Sequence, residues 1–176
     1  MADLHPDSAY APERFADPQK TLEFPPEAEN TFRFLLTRYP TKMAALLPVL
    51  HLAQEVWGWI SPEVVLYVGE RLGLAPSTVF GVVSFYNMYN QKPVGKYFLQ
   101  VCTNLSCMIR NAYDIHDHLC EKLNVHPGGT TADGKFTVLE VECLGSCGTA
   151  PVVQVNNDYH ENMDVAKMDA LLDGLK

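Results

Sequence analysis

The spacing of apolar side chains along this chain changes near residue 92. Before that point they recur every three or four positions: Phe32, Leu35 and Leu36 predict a short first helix, and Met43, Leu46, Leu47, Leu50, Ala53 and Val56 or Trp57 a second. Pro48 falls inside the second run, and its missing N–H predicts a kink there. The third helix has marked ends, with Ser61 placed to cap, Pro62 at the first helical position and Gly73 just past YVGERL as a stop. APSTVFGVVSFYNMYN starts a fourth helix near Pro76. Its aromatics Phe80, Phe85, Tyr86 and Tyr89 could line a cofactor or a partner, but a helical apolar stripe reads first as core packing.

After NQKPVG the period becomes alternating. KYFLQV reads as a strand, SCMIRNAYDIHDHLCEKL as one helix, and KFTVLEVE, PVVQVNN and YHENM as three further strands. DVAKMDALLDGL closes the chain as a helix capped by Asp164, with Val165, Met168, Leu171 and Leu172 on one side. The order is β-α-β-β-β-α, with NND as a turn between the third and fourth strands. The expected fold class is α+β: an N-terminal helical bundle followed by a thioredoxin-like domain, a small sheet with helices packed on it. Residues 1–27, rich in Pro, Asp and Ala without periodicity, are expected to be a flexible or partner-wrapped tail. The bundle would then span 28–92 and the sheet domain 93–176.

Composition narrows the function classes. With 176 residues, 47% of them hydrophobic, the chain can bury a core without disulfides. Thirteen Lys and Arg against twenty-one Asp and Glu leave a net charge of −8, which repels nucleic acid. The first residues resemble neither a secretory leader nor an organelle transit peptide, so a cytosolic location is expected. The longest apolar run, AALLPVLHLA, is too short to span a bilayer, so membrane association would come only through partners. In a reducing compartment, the five cysteines Cys102, Cys107, Cys120, Cys143 and Cys147 suggest metal or redox chemistry rather than a disulfide framework.

Four of them form the pattern C-x4-C-x35-C-x3-C. Cys102 closes the first strand, Cys107 opens the helix after it, and Cys143 and Cys147 lie in EVECLGSCGTAP, the loop leaving the second strand; all four can meet at one end of the sheet. A helix N-terminus at Cys107 would favour a thiolate. A four-thiolate iron-sulfur centre is an anion that needs N–H donors around its sulfurs, and Gly145, Gly148, Thr103, Asn104 and Ser106 could supply them. The gaps of four and three favour iron-sulfur over structural zinc but allow both. A thioredoxin-type dithiol is the weakest of the three, because no C-x-x-C stands at the strand-to-helix junction.

DGKFTVLEVECLGSCGTAP, with Asp133, Phe136, Thr137, both cysteines and the Ala150-Pro151 end, resembles the signature of the smaller 2Fe-2S subunit of the NADH-oxidising module of respiratory complex I. CTNLSCMIRNA resembles the same family's first ligand pair, and RYPTKMAALLPVLHLAQEVWGWIS through VVSFYNMY its N-terminal bundle. The resemblance covers roughly residues 30–165. It implies one 2Fe-2S cluster on Cys102, Cys107, Cys143 and Cys147 in a thioredoxin-like ferredoxin domain. It also implies a larger partner subunit that carries FMN, binds NADH and holds a further cluster, within an NADH:quinone oxidoreductase on the cytoplasmic side of the inner membrane. The equivalent diaphorase subunit of a soluble NAD-linked hydrogenase or formate dehydrogenase is the alternative. A zinc-stabilised thioredoxin-like scaffold is a second, of a different class.

Other residues carry weaker signals. Gly129, Gly134 and Lys135 imitate a phosphate loop, but Phe136 replaces the hydroxyl residue and a strand follows, so a turn is expected. No G-x-G-x-x-G opens a helix after a strand. Cys120, with Ile109, Tyr113, His116 and Leu123, reads as the packed face of its helix. His116 and His118 are two apart, cannot share a metal, and are expected to be partly exposed. Arg110 could offset cluster charge or simply be a surface residue.

Overall fold

The computed structural model describes residues 22–175, which fall into two compact units divided between Pro93 and Val94. The first is built of helices α1 Pro26–Arg38, α2 Leu46–Trp57, α3 Pro62–Leu72 and α4 Pro76–Phe85. The punctuation of α3 works as its residue types require: Ser61 Oγ accepts from the Val64 N–H at 3.3 Å, and Gly73 ends the helix at φ +64°. Pro48 does not kink α2. The helix begins only at Leu46, so Pro48 sits in the first turn, where its N–H would have had no intrahelical acceptor. Met43 lies in the turn before it and is exposed.

The core of this unit is aliphatic, with Leu46, Val49, Leu50, Ala53, Ile60, Val64, Val68, Leu72, Val79 and Val83 almost without exposure. Most of the tail expected over 1–27 lies outside the described residues. In the part that is described, Phe24 is buried and stacks on Trp57 with ring centroids 5.0 Å apart. Of the four aromatics read as packing, only Tyr89 is buried, its hydroxyl donating to the Leu47 carbonyl at 2.9 Å. Phe85 is 78% exposed, because α4 buries only the Val79 and Val83 stripe.

One interaction in this unit has no sequence signal. Arg71 donates to both carboxylate oxygens of Glu29, at 2.9 and 2.7 Å, and to the Tyr67 hydroxyl at 2.6 Å, with its guanidinium 4.3 Å from the Phe32 ring centre. The Arg71 hydrogen bond, then that of Arg33, holds the Glu29 carboxyl below its ordinary value of 4.5. A depressed carboxyl contributes stability that is present above the ordinary value and lost as pH falls through the folded value. Glu29→Gln is therefore expected to destabilise the chain by about 1 kcal/mol near neutral pH, a figure discounted for partial exposure. The gap between the two proteins should close below about pH 4.5 in denaturant unfolding followed by circular dichroism.

The second unit is a four-stranded sheet with order β2-β1-β3-β4, built of β1 Tyr97–Cys102, β2 Phe136–Val141, β3 Val153–Val155 and β4 Asp158–His160. β1 and β2 are parallel, whereas β3 runs antiparallel to β1 and to β4. β3 and β4 form the expected hairpin, with Asn156 at φ +54° in its turn. Two longer helices, α6 Ala112–Leu123 and α7 Val165–Gly174, pack beside each other, and α6 also lies on β1 and β2. Asp164 caps α7 by accepting from the Lys167 N–H at 2.7 Å. Leu99, Val101, Ile115, Leu119, Val138, Val153, Met168 and Leu172 form the core between helices and sheet.

The single helix expected after β1 is two helices. A five-residue α5, Leu105–Ile109, is separated from α6 by Arg110 and by Asn111, which adopts the left-handed φ of +68°. The break rotates α5 out of register with α6, so Ile109 is 70% exposed and the buried face of α6 carries Ala112, Ile115, His116 and Leu119. The imitation of a phosphate loop is a turn leading into β2, with no helix behind it. Among the described residues no helix is long and apolar enough to cross a membrane.

Candidate metal centre

Parallel pairing places Cys102, the last residue of β1, opposite Val141, the last residue of β2. Both chains therefore leave the sheet at the same end. Cys107 follows in the first turn of α5, Cys143 comes two residues after β2, and Cys147 opens a single 3-10 turn, Cys147–Thr149. All four thiols line one cleft of about 270 Å³ with Asn104, Leu105, Ser106, Gly145, Ser146 and Val152. Cys102 and Cys107 are buried, while Cys143 and Cys147 are exposed, so the inner pair is shielded and the outer pair faces solvent. Among the described residues no three His, Cys, Asp or Glu side chains converge on one point as a single-ion site would require.

Burial, first of all, pushes the Cys107 thiol up to about 11. A hydrogen bond with Cys102 and the nearby Cys102 and Cys147 sulfurs add to this, while the Val152 backbone hydrogen bond acts the other way. Without a cation, then, Cys107 is a neutral thiol at neutral pH, contrary to the thiolate expected at a helix start. A five-residue helix has little dipole, and its first N–H, on Leu105, is taken by Asn104 Oδ1 at 2.6 Å. Cations placed among these sulfurs would supply the charge that the protein withholds.

The N–H donors are fewer than the sequence suggests. Gly145, at φ +79°, turns its N–H onto Cys143 Sγ at 3.3 Å, a conformation that favours glycine. Gly148 has no such conformation, and a Cβ there would meet open space. The Thr103 N–H is used by the Val141 carbonyl at 3.1 Å, prolonging the β1–β2 ladder, and its hydroxyl donates to Glu140 at 2.7 Å. Asn104 is spent as a cap.

Several residues that sequence reasoning passed over hold the second cysteine loop. Tyr159 donates its hydroxyl to the Leu144 carbonyl at 2.9 Å, and the Asn162 N–H donates to the Thr149 carbonyl at 2.7 Å. Arg110 is an exposed residue whose Nη1 donates to the Ala150 carbonyl at 3.0 Å, tying the end of α5 to the loop after Cys147. These partners stand 13 to 40 residues apart, beyond any local motif.

Cys120 lies apart from the cleft, packed against the core, with Sγ 3.8 Å from His116 Nε2 and its thiol raised chiefly by burial. His116 is buried rather than partly exposed, on the face of α6 that also carries Ala112, Ile115 and Leu119; its Nδ1 lies 3.1 Å from Asp117 Oδ1. His118, half-buried, instead faces Asp169, with Nε2 2.7 Å from Oδ1.

A mixed sheet with one parallel pair, helices packed on it, and four thiols lining one cleft at the strand ends define a thioredoxin-like domain. The family described as "Thioredoxin-like [2Fe-2S] ferredoxin" matches residues 32–176, and the chain belongs to that family. NADH-quinone oxidoreductase subunit 2 of Thermus thermophilus is 46% identical over 151 residues, 84% of this chain and 81% of its own. An NADH-quinone oxidoreductase subunit of Rhizobium meliloti is 40% identical over 79% of this chain and 83% of its own, and one of Rickettsia typhi 40% identical over 87% and 92%. Among solved structures, an air-oxidised NAD+-reducing [NiFe]-hydrogenase matches with a TM-score of 0.65 and 25% identity over 74% of this chain. The present chain spans 22% of that hydrogenase chain.

Proposed function

We propose that Cys102, Cys107, Cys143 and Cys147 hold one 2Fe-2S cluster, and that the chain is an electron-transfer subunit of an NADH-quinone oxidoreductase, complex I. The observation that carries this reading is the meeting of four thiols in one cleft, two buried and two exposed, with the Gly145 N–H donating to Cys143. Sulfur is the ligand iron-sulfur clusters use, and donors aimed at the sulfurs suit their negative charge. Such a cluster, when bound, takes up and releases one electron. The chain's own residues hold it: the buried pair shields one side from water, Arg110 and Tyr159 fix the loop, and Cys107 gives up its proton on loading.

The relatives, each named as a subunit of an NADH-quinone oxidoreductase, support a place within a larger enzyme; in this reading NADH, FMN and a further cluster lie on a partner subunit. In that arrangement residues 93–176 carry the cluster, 28–92 help dock, and the whole is peripheral on the cytoplasmic side of the inner membrane. The hydrogenase likeness supports a second reading, the equivalent subunit of a soluble NAD-linked enzyme. The proteins that co-purify with the chain separate the two.

An anaerobic preparation is expected to contain about two irons and two acid-labile sulfides per chain, to absorb in the visible, and to give a low-temperature paramagnetic signal when reduced. A colourless protein with stoichiometric zinc and no sulfide would overturn the reading in favour of a zinc scaffold.

A further inference from the structure

Glu161, just past β4, reaches back to the second cysteine loop. Its Oε1 accepts a hydrogen bond from Ser146 Oγ and another from Thr149 Oγ1 at 2.7 Å, while the two hydroxyls lie 2.6 Å from each other. Each hydroxyl carries a single proton and a carboxylate only accepts, so the Ser146 proton goes to Glu161 and the Thr149 proton is shared between Glu161 and the Ser146 backbone carbonyl at 3.2 Å. Ser146 also lines the cleft, immediately before Cys147. It is therefore a donor beside the thiols whose proton is committed elsewhere.

We infer that Glu161 is a positioning residue that holds the Ser146 hydroxyl proton away from the ligand sulfurs and so keeps the reduction potential of the bound cluster low. The inference rests on the assignment of the four cysteines as ligands. Hydrogen bonds to cluster sulfurs stabilise the added negative charge of the reduced state and raise the potential. A carboxylate that removes such a donor, and brings a negative charge of its own, works in the opposite direction. The two donors hold the Glu161 carboxyl below the usual carboxylate range, so it is ionised at neutral pH. The loop does not depend on Glu161 for its shape, because Tyr159, Asn162 and Arg110 hold the carbonyls of Leu144, Thr149 and Ala150 separately.

The test is an anaerobic redox titration of the full chain, followed by its visible and paramagnetic signals. Glu161→Ala is expected to raise the midpoint potential with iron and sulfide unchanged. Glu161→Gln, whose amide oxygen still accepts, should raise it less. Adding Ser146→Ala and Thr149→Ala to Glu161→Ala should bring the potential back down to about the Glu161→Gln value. A wild-type potential in Glu161→Ala, a triple variant indistinguishable from Glu161→Ala, or loss of iron from Glu161→Ala overturns the inference. Failure of the ligand assignment shows differently, as a wild-type protein without iron and sulfide, and takes the inference with it.

Discussion

Cys143→Ser and Cys107→Ser are expected to lose the visible absorbance of the anaerobic protein by roughly an order of magnitude or more, whereas Cys120→Ala keeps it. Cys143 and Cys107 line the cleft from opposite loops, so removing either leaves a cluster with a weak oxygen ligand or an open position. Cys120 is no part of that cleft and touches His116 instead. Its replacement removes one partly buried sulfur from the core and costs stability only. Equal iron content in the Cys120 and Cys143 variants would refute the ligand set. Loading should also depend on pH. With its thiol raised to about 11, Cys107 is protonated near neutral pH, and ligation must displace its proton. Iron uptake by metal-free protein is thus expected to strengthen as pH rises towards that value, and to weaken on acidification.

Addition of NADH to the chain alone is expected to leave its colour unchanged, whereas addition to a reconstituted pair with a flavin-bearing, NADH-oxidising subunit should bleach the cluster. The reason is division of chemistry: NADH delivers a hydride, two electrons together, and a one-electron centre needs a flavin between them. A partner must then be held close to the cleft in fixed geometry. Leu105, Met108 and Ile109 on α5 are exposed, and Leu105 forms part of the cleft wall, which suits an interface whose apolar anchors surround the electron's point of entry. Dithionite should bleach both preparations, showing that the cluster is competent in each. Reduction of the lone chain by NADH would overturn the assignment of NADH and FMN to a partner.

Much of the architecture is legible from local pattern. Ser61, Pro62 and Gly73 mark the ends of α3 because a capping oxygen, a missing N–H and a freely left-handed residue act within one turn of their own position. The alternation in YFLQVC and FTVLEV marks strands, and the cysteine spacing with its flanks pointed to the family to which the chain belongs. Where local rules compete, pattern alone does not decide the structure. Pro48 is compatible with either a kink or a first turn, and the start of α2 at Leu46 chose the second. Helical periodicity runs unbroken through Arg110 and Asn111, yet Asn111 takes φ +68°, which an asparagine tolerates and no apolar pattern records. From that one residue follows the exposure of Ile109.

The sequence by itself determined which elements form and which residue types could ligate, because helix caps, strand alternation and thiol chemistry depend on neighbours a few positions away. Only the tertiary structure decided how the site is assembled. The parallel register that sets Cys102 against Val141 brings together thiols about 40 residues apart and spends the Thr103 N–H on the sheet instead of on a sulfur. Burial then raises the Cys107 thiol to about 11, where a helix start alone suggested the reverse. Desolvation and strand pairing are properties of what surrounds a residue in space, and no window of sequence contains that surrounding.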